Sequence, residues 1–239
     1  MKYAVISDVH ANLEAAEACF REIEKLKADR IICLGDLVDY CAQPNEVISI
    51  IRKKCDIVVL GNHDEAQYNF KLSDRFNERA RISSIHTRSV LDKDNLEYIK
   101  TLKLTCTENN LLFVHSSPLK PNDYRYVLSE DSAAEAFSVF FEQVCFIGHS
   151  HKPVIFESSE DGINITGEGQ LNRTNRYIIN VGSVGQPRDG NPELSFGFFD
   201  DEEFLYRNVR VSYDTLSASQ KIKNEKLPDF LAERIISGI

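Results

Sequence analysis

Five of the six histidines in this 239-residue chain, His10, His63, His115, His149 and His151, stand at the ends of segments that read as β-strands. Asp8, Asp36 and Asn62 stand in the same kind of place. Any one of them has an ordinary explanation, because a lone histidine is usually a satisfied polar residue and an Asp or Asn after a strand usually caps a helix or closes a turn. Caps and turns do not select histidine repeatedly, so the set calls for a chemical reason. Imidazole, carboxylate and amide oxygen together suit Mn, Fe, Zn, Ni or Co and not calcium. No cysteine joins these segments, which argues against a closed structural zinc site. So many candidate ligands exceed one tetrahedral ion but suit two ions sharing a bridging carboxylate. Two metals ~3.5–4 Å apart can clamp a phosphoryl group during in-line displacement, and a metal lowers the pKa of bound water from about 15.7 to roughly 7. In CFIGHSHKP (145–153) two histidines sit at i and i+2 of an extended run and point the same way, leaving open whether they serve one metal, two or none.

The elements that must position these residues follow from apolar periodicity. KYAVIS, RIICLGD and DIVVLGN read as strands, NLEAAEACFREIEKLK and PNEVISIIRKK as the helices between them. Strand–helix–strand–helix–strand implies parallel pairing with right-handed crossovers, and ligands of open α/β sheets collect beyond the carboxyl ends of the strands. Residues 64–103 read as mostly helical, with SVLDKDNLEYIKTLK the clearest segment. The second half is strand-rich: LLFVHSSP, VCFIGHSH, PVIFES, RYIINVGS, LSFGFFD and EFLYRNVRV, interrupted by a helix at AAEAFSVFF. SEDG, DGNP and DDEE suggest hairpins. The expectation is an α/β fold with a parallel half followed by a largely antiparallel half, two sheets face to face with helices outside. Surface helices are expected from Asp214 and Pro228. No repeat or linker divides the chain, so residues 1–239 are expected to form one domain.

Hydrophobic residues make up 42% and charged residues 27%, an ordinary globular balance. The longest apolar runs are of strand length, so no membrane span is expected, and MKYAVISDVH reads as a buried first strand and not a signal peptide. Six cysteines without a C-x-x-C pair fit a reducing cytoplasm. The net charge of −9 offers no general attraction to duplex nucleic acid or anionic lipid. Two divalent ions, less two aspartates and a hydroxide, would leave about one positive charge in the site, enough to favour a phosphate monoanion or diester.

The ordered set DVH (8–10), GDLVDY (35–40), GNHD (61–64), VH (114–115) and GHSH (148–151) resembles the calcineurin-like metallophosphoesterase superfamily. NVGSVGQPRDG (180–190) resembles its small, single-domain bacterial and archaeal phosphodiesterase branch, which implies a four-layer αββα sandwich. The resemblance implies that Asp8, His10 and His151 hold a first metal, that Asn62, His115 and His149 hold a second, and that Asp36 bridges them. The two histidines of GHSH would then diverge. His63 matches the family's non-ligand histidine, which stabilises the transition state and can protonate the leaving oxygen, help worth ~10²–10⁴ in rate. Asp39 and Asp64 compete as the group that orients it. Tyr40 and Cys41 stand where protein phosphatases and symmetrical dinucleotide tetraphosphatases of the superfamily carry arginine and glycine, which speaks against those activities.

The resulting expectation is a dinuclear-metal phosphodiesterase or phosphatase acting through a metal-bridging hydroxide, with two divalent ions, manganese first among Mn, Fe, Zn, Ni and Co. The partner is a small phosphate ester, with nucleotide-derived substrates among the options. Arg188 could pair with a phosphate oxygen or form a surface ion pair, and Asn12 could contact phosphate or cap the first helix. Tyr124 and Tyr126 read as core or surface residues more readily than as base-stacking ones, and His86 as structural. Two other readings stand beside this one: a non-catalytic binding scaffold on the same fold, and an amidohydrolase barrel using H-x-H, which would need eight βα units.

Overall fold

In the computed structural model, which describes residues 1–239, the first strand β1 (Lys2–Ile6) runs into α1 (Leu13–Leu26), β2 (Arg30–Cys33), α2 (Pro44–Lys54) and β3 (Ile57–Val58). Asn12 caps α1 by accepting from the Ala15 N–H, and Pro44 opens α2 where a helix has no use for its missing N–H. Four helices follow: α3 (Asn62–Glu65), α4 (Phe70–Ser73), α5 (Glu78–Val90) and α6 (Lys93–Thr101). The strands β4 (Thr105–Glu108) and β5 (Leu111–Val114) precede α7 (Glu130–Phe137). Then come β6 (Val144–Ile147), β7 (Val154–Ser159), β8 (Gly162–Thr166), β9 (Gly169–Gln170), β10 (Arg176–Asn180), β11 (Leu194–Asp200) and β12 (Leu205–Val211). The chain closes with α8 (Thr215–Asn224) and α9 (Asp229–Ser237).

The strands form two six-stranded mixed sheets, ordered β3-β2-β1-β11-β12-β9 and β4-β5-β6-β10-β7-β8. Alternation along each strand explains the layers. Tyr3 and Val5 of β1 and Val144 and Phe146 of β6 enter the core between the sheets. Their neighbours Ala4 and Ile6 face the helix layer of α1 and α2, while Cys145 and Ile147 face α7. Both faces of these strands are therefore buried, which is why they read as continuous apolar runs. The expected four-layer αββα sandwich is what the chain forms.

Several local expectations are corrected. The second half is largely antiparallel as expected, with one exception: β5, β6 and β10 pair in parallel at the centre of their sheet, flanked by antiparallel β4 and β7–β8. The third strand shrinks to two residues because the chain turns through Leu60 and Gly61 into α3. SVLDKDNLEYIKTLK is two helices, broken where Leu91 and Asp92 are extended and the Asp92 N–H donates to Asn45 Oδ1. DGNP closes no hairpin; it carries the chain from β10 in one sheet to β11 in the other. Two open sheets also rule out the barrel reading. Asp8 and His10 follow β1, Asp36 follows β2, Asn62 and His63 follow β3, His115 follows β5, and His149 and His151 follow β6. The carboxyl ends of the parallel strands of both sheets thus meet along one edge.

Candidate metal centre

The loops at that edge are bent sharply. Asp8, His10, Asp36, Asp39, Tyr40, His149 and His151 all have φ between 48° and 69°, the left-handed region that non-glycine residues avoid. Each such residue costs of order 1–3 kcal/mol, and clusters of them mark sites that the surrounding fold holds under constraint. Two glycines make room. A Cβ on Gly61 would lie 2.1 Å from Asp36 Oδ1, and one on Gly148 would lie 2.0 Å from Ser7 Oγ and 2.5 Å from Asp8 Oδ2. The backbone needs that closeness: the His149 N–H donates to Asp8 Oδ2 at 2.9 Å and the His63 N–H to Asp36 Oδ1 at 2.8 Å. One oxygen of each aspartate is thereby fixed, and the other is turned inward.

What the inward atoms face decides the chemistry. His10 Nδ1–H donates to Val38 O (2.8 Å), His151 Nδ1–H to Gln186 O (2.6 Å), His115 Nδ1–H to Leu34 O (2.8 Å) and His149 Nε2–H to Tyr124 O (3.0 Å). A backbone carbonyl can only accept, so each neutral ring presents a bare nitrogen to the interior. Those nitrogens crowd one another: His10 Nε2 and His151 Nε2 are 3.1 Å apart, His115 Nε2 and His149 Nδ1 3.2 Å. Asp8 Oδ1 lies 3.2 Å from His151 Nε2 and has no donor, Asp36 Oδ2 lies 3.2 Å from His115 Nε2 and 3.8 Å from His10 Nε2, and Asn62 Oδ1 lies 3.1 Å from His115 Nε2. Seven acceptor atoms converge with almost no hydrogens to share.

Protons relieve this at His115 alone. Burial and neighbouring imidazoles or Arg188 hold His10, His149 and His151 below the usual histidine range, His149 down to about 3. Only His115 goes the other way: burial opposes its charge, but Asp36 outweighs burial and pushes it up to about 9. Burial alone would raise Asp8 and Asp36, yet His151 and His115 hold them well below the carboxylate range. A set of buried carboxylate, amide-oxygen and imidazole acceptors is the donor set of a divalent cation. Two groups could each hold an ion, Asp8–His10–His151 and Asp36–His115–His149, with Asn62 beside the second and Asp36 Oδ2 facing both. The GHSH histidines fall in different groups.

His63 is set apart. Its Nδ1–H donates to Asp39 Oδ2 at 2.7 Å, Gln67 Nε2 donates to Asp39 Oδ1 at 3.0 Å, and the ring packs between Tyr40 and Phe76. Burial pulls its pKa down, but Asp36 and Asp39 together leave it raised. Asp39 is thus the group that orients it. Asp64, the competing candidate, makes no contact with the ring: its oxygens accept the Leu37 N–H (2.8 Å) and Gly61 N–H (3.2 Å), tying the loop after β2 to the loop after β3. Burial, followed by the Asp36 charge, pushes Asp64 up to about 7.

A cavity of about 190 Å³ opens onto Asp36, Asn62, His63, His149 and His151. Arg188 lines it, as the sequence suggested. Asn12 does not; it is buried under the site, capping α1 and donating to Gly185 O (2.8 Å) and Tyr213 Oη (3.1 Å), so no group is left for phosphate. Tyr124 is buried with its hydroxyl on Glu65, whereas Tyr126 is half exposed, lines the cavity and stacks on His149 with ring centres 4.1 Å apart. Arg75, Phe76 and Asn77 also line it and carried no sequence signal, since RFNER has neither motif nor periodicity. His86 lies outside, 3.6 Å from Glu225.

Comparison with known proteins agrees with this geometry. The family model of the calcineurin-like phosphoesterase superfamily domain matches residues 1–203. An uncharacterised protein of Methanocaldococcus jannaschii is 39% identical over 241 residues, spanning 98% of this chain and 97% of the relative. A metallophosphoesterase of Sphaerobacter thermophilus superposes with a TM-score of 0.87 at 33% identity, covering 100% of this chain and 99% of the other. A hypothetical protein of Pyrococcus horikoshii shares the fold, with a TM-score of 0.82 at 20% identity over 100% and 98% of the two chains. Joined to the motif order and to the two carboxylate–imidazole groups at the strand ends, these matches mean that the chain belongs to the calcineurin-like phosphoesterase superfamily.

Proposed function

We propose that the protein is a phosphoesterase dependent on two divalent metal ions, hydrolysing a small phosphate ester. One observation carries the reading: seven buried acceptor atoms from Asp8, His10, Asp36, Asn62, His115, His149 and His151 converge with only the His115 proton among them. Ions bound there would supply Lewis acidity and a hydroxide for attack on phosphorus. Asp8 and His10 with His151 would hold one ion, Asn62 and His115 with His149 the other, and Asp36 would bridge.

The remaining work falls to the chain. His63 presents Nε2 to the cavity with its Nδ1–H held by Asp39, so it can carry a proton at Nε2 and deliver it to the leaving oxygen. Arg188 lines the cavity and brings a positive charge to the phosphate, with its Nε and Nη2 held by Gln186 Oε1. Tyr126 walls the cavity with an aromatic face suited to an aryl or nucleotide leaving group. A small diester fits this site better than a phosphoprotein, because the cavity is only about 190 Å³. Manganese is the proposed native metal, on the mixed N/O donor set. The proposed single domain of residues 1–239 is supported by the pairing of β1 with β11, which ties the two ends of the chain into one sheet. A cytoplasmic setting is proposed from six free cysteines; no helix is long and apolar enough to cross a membrane.

The test is a panel of phosphomonoesters, diesters and dinucleoside polyphosphates given to metal-stripped protein reloaded with Mn, Zn, Ni, Co or Mg. Metal-dependent turnover of at least one class is expected, strongest with Mn and with diesters. Full metal loading without turnover of any ester would sink the enzyme reading in favour of a binding scaffold.

A further inference from the structure

Beside the metal-facing cavity lies a second, of about 140 Å³, which shares Tyr40, Asn77 and Arg188 with it and adds Arg79, Phe230 and Arg234. Its charge arrangement is unusual. Arg188 donates to Gln186 Oε1 through Nε (3.2 Å) and Nη2 (2.8 Å), and Arg234 Nη1 donates to the same oxygen at 3.3 Å. Two guanidiniums therefore converge on one neutral amide. The guanidinium of Arg79 lies 3.7 Å from the centre of the Phe230 ring, and that of Arg234 lies 4.6 Å from the same ring.

The chain has more carboxylates than cations, 37 against 28, yet none reaches this cluster. Arginine ion pairs are made by Arg21, Arg30, Arg125 and Arg210, and Arg210 takes Asp189, the carboxylate adjacent to Arg188. Arg234 Nε is buried without an acceptor, as is Gln186 Nε2. Burial and the Arg188 charge pull Arg234 down to about 10, the response of a cation held near another cation. Cation–π contact with Phe230 accounts for where Arg79 and Arg234 lie, but it supplies no counter-charge for three guanidiniums around one cavity. A multidentate anion would, and planar guanidinium forks match phosphoryl oxygens. Arg234, on α9, lies outside residues 1–203 that match the family model, whereas Arg79 and Arg188 lie within them.

We infer that Arg79, Arg188 and Arg234 form a subsite for a second phosphoryl group of the substrate, so that the preferred ester carries at least two phosphoryl groups, one at the metals and one in the arginine pocket. The inference rests on the phosphoesterase reading and narrows it to polyphosphorylated esters.

The test uses methylphosphonate and methylenebisphosphonate as probes, against whichever reporter ester the Mn-loaded full-length protein turns over. The bisphosphonate is expected to inhibit at least ~30-fold more tightly, and Arg234→Gln and Arg79→Gln each to remove on the order of tenfold of that advantage, with Arg234→Lys intermediate. Circular dichroism and metal content establish that each variant is folded and loaded. Calorimetry on metal-free protein reads the pocket without turnover: the bisphosphonate should bind, and Arg234→Gln should weaken it. An advantage that survives intact in both glutamine variants would come from the metals alone and overturns the inference. Two equivalents of orthophosphate binding as tightly as the bisphosphonate would mark a free-anion site, and also overturns it. If no reporter is hydrolysed, the parent reading fails while the calorimetric arm still decides the subsite.

Discussion

Replacing Asp39 by asparagine tests the catalytic assignment most directly, because it changes one atom and leaves the shape. Asp39 Oδ2 accepts from His63 Nδ1 at 2.7 Å and Oδ1 accepts from Gln67 Nε2 at 3.0 Å. Gln67 Nε2 can only donate, so it will hold the new amide with its oxygen towards Gln67 and its NH₂ towards His63. His63 Nδ1 would then meet a donor. The doubly protonated ring, which carries N–H at both nitrogens, loses its acceptor and gains a clash of donors. A hydrogen bond to a charged group is worth about 1.5–3 kcal/mol, and at ~1.36 kcal/mol per tenfold this predicts a fall in kcat of roughly 10- to 150-fold. The loss should be largest for esters with poor leaving groups, which need the proton, and small for 4-nitrophenyl esters, which do not. Metal content should be unchanged, since Asp39 touches none of the inward atoms. The measurement is kcat across a series of leaving groups for wild type and Asp39→Asn at matched metal loading. Turnover within twofold of wild type on every leaving group would refute the orienting role, as would loss of metal from the variant.

Asp36→Asn should lower metal content below two ions by elemental analysis, because one oxygen faces both groups; full occupancy would remove the bridge. Chelation should lower Tm by on the order of 10–20 °C if both ions are present at about 100 Kd, from ~2.7 kcal/mol of linkage per ion at 2–4 °C per kcal/mol. His115 makes metal uptake pH-dependent. Its pKa in the metal-free protein is raised to about 9, so loading at neutral pH should release a proton, read as a buffer-dependent enthalpy in calorimetry. The sign for stability follows: in metal-free protein the His115–Asp36 pair stabilises fully below pH 6.5 and is lost as pH rises towards about 9, so the stabilisation gained on metal loading should grow across that window. Asn12→Ala should cost ~1 kcal/mol of stability through the lost cap while leaving KM unchanged; a raised KM would reinstate Asn12 as a phosphate contact.

Much of this molecule is legible in one dimension. Runs such as KYAVIS and VCFIG are apolar on both faces because each strand lies between a second sheet and a helix layer, and that burial writes itself into composition. The histidines and aspartates at their ends are equally visible, since a metal centre at the carboxyl edge of parallel strands draws on a few short segments whose residue types have no competing reason to be there. Choices between neighbours were not legible. Asp39 and Asp64 are both three residues from a motif residue, and only the left-handed turn at Asp39, φ 69°, aims its carboxylate at His63 while Asp64 is spent on two backbone amides. Asn12 could serve phosphate or helix, and its burial beneath the loop at Gly185 makes it a cap. The arginine pocket lay further out of reach. Arg188 could be singled out in GQPRDG, but Arg79 and Arg234 come from distant segments and look like ordinary surface cations, because the lack of a neighbouring carboxylate is a property of their surroundings and not of their spacing. Sequence alone determined which ligand types this protein brings to its strand ends; tertiary structure decided which atoms face one another, because orientation depends on backbone dihedrals and on partners far away in the chain.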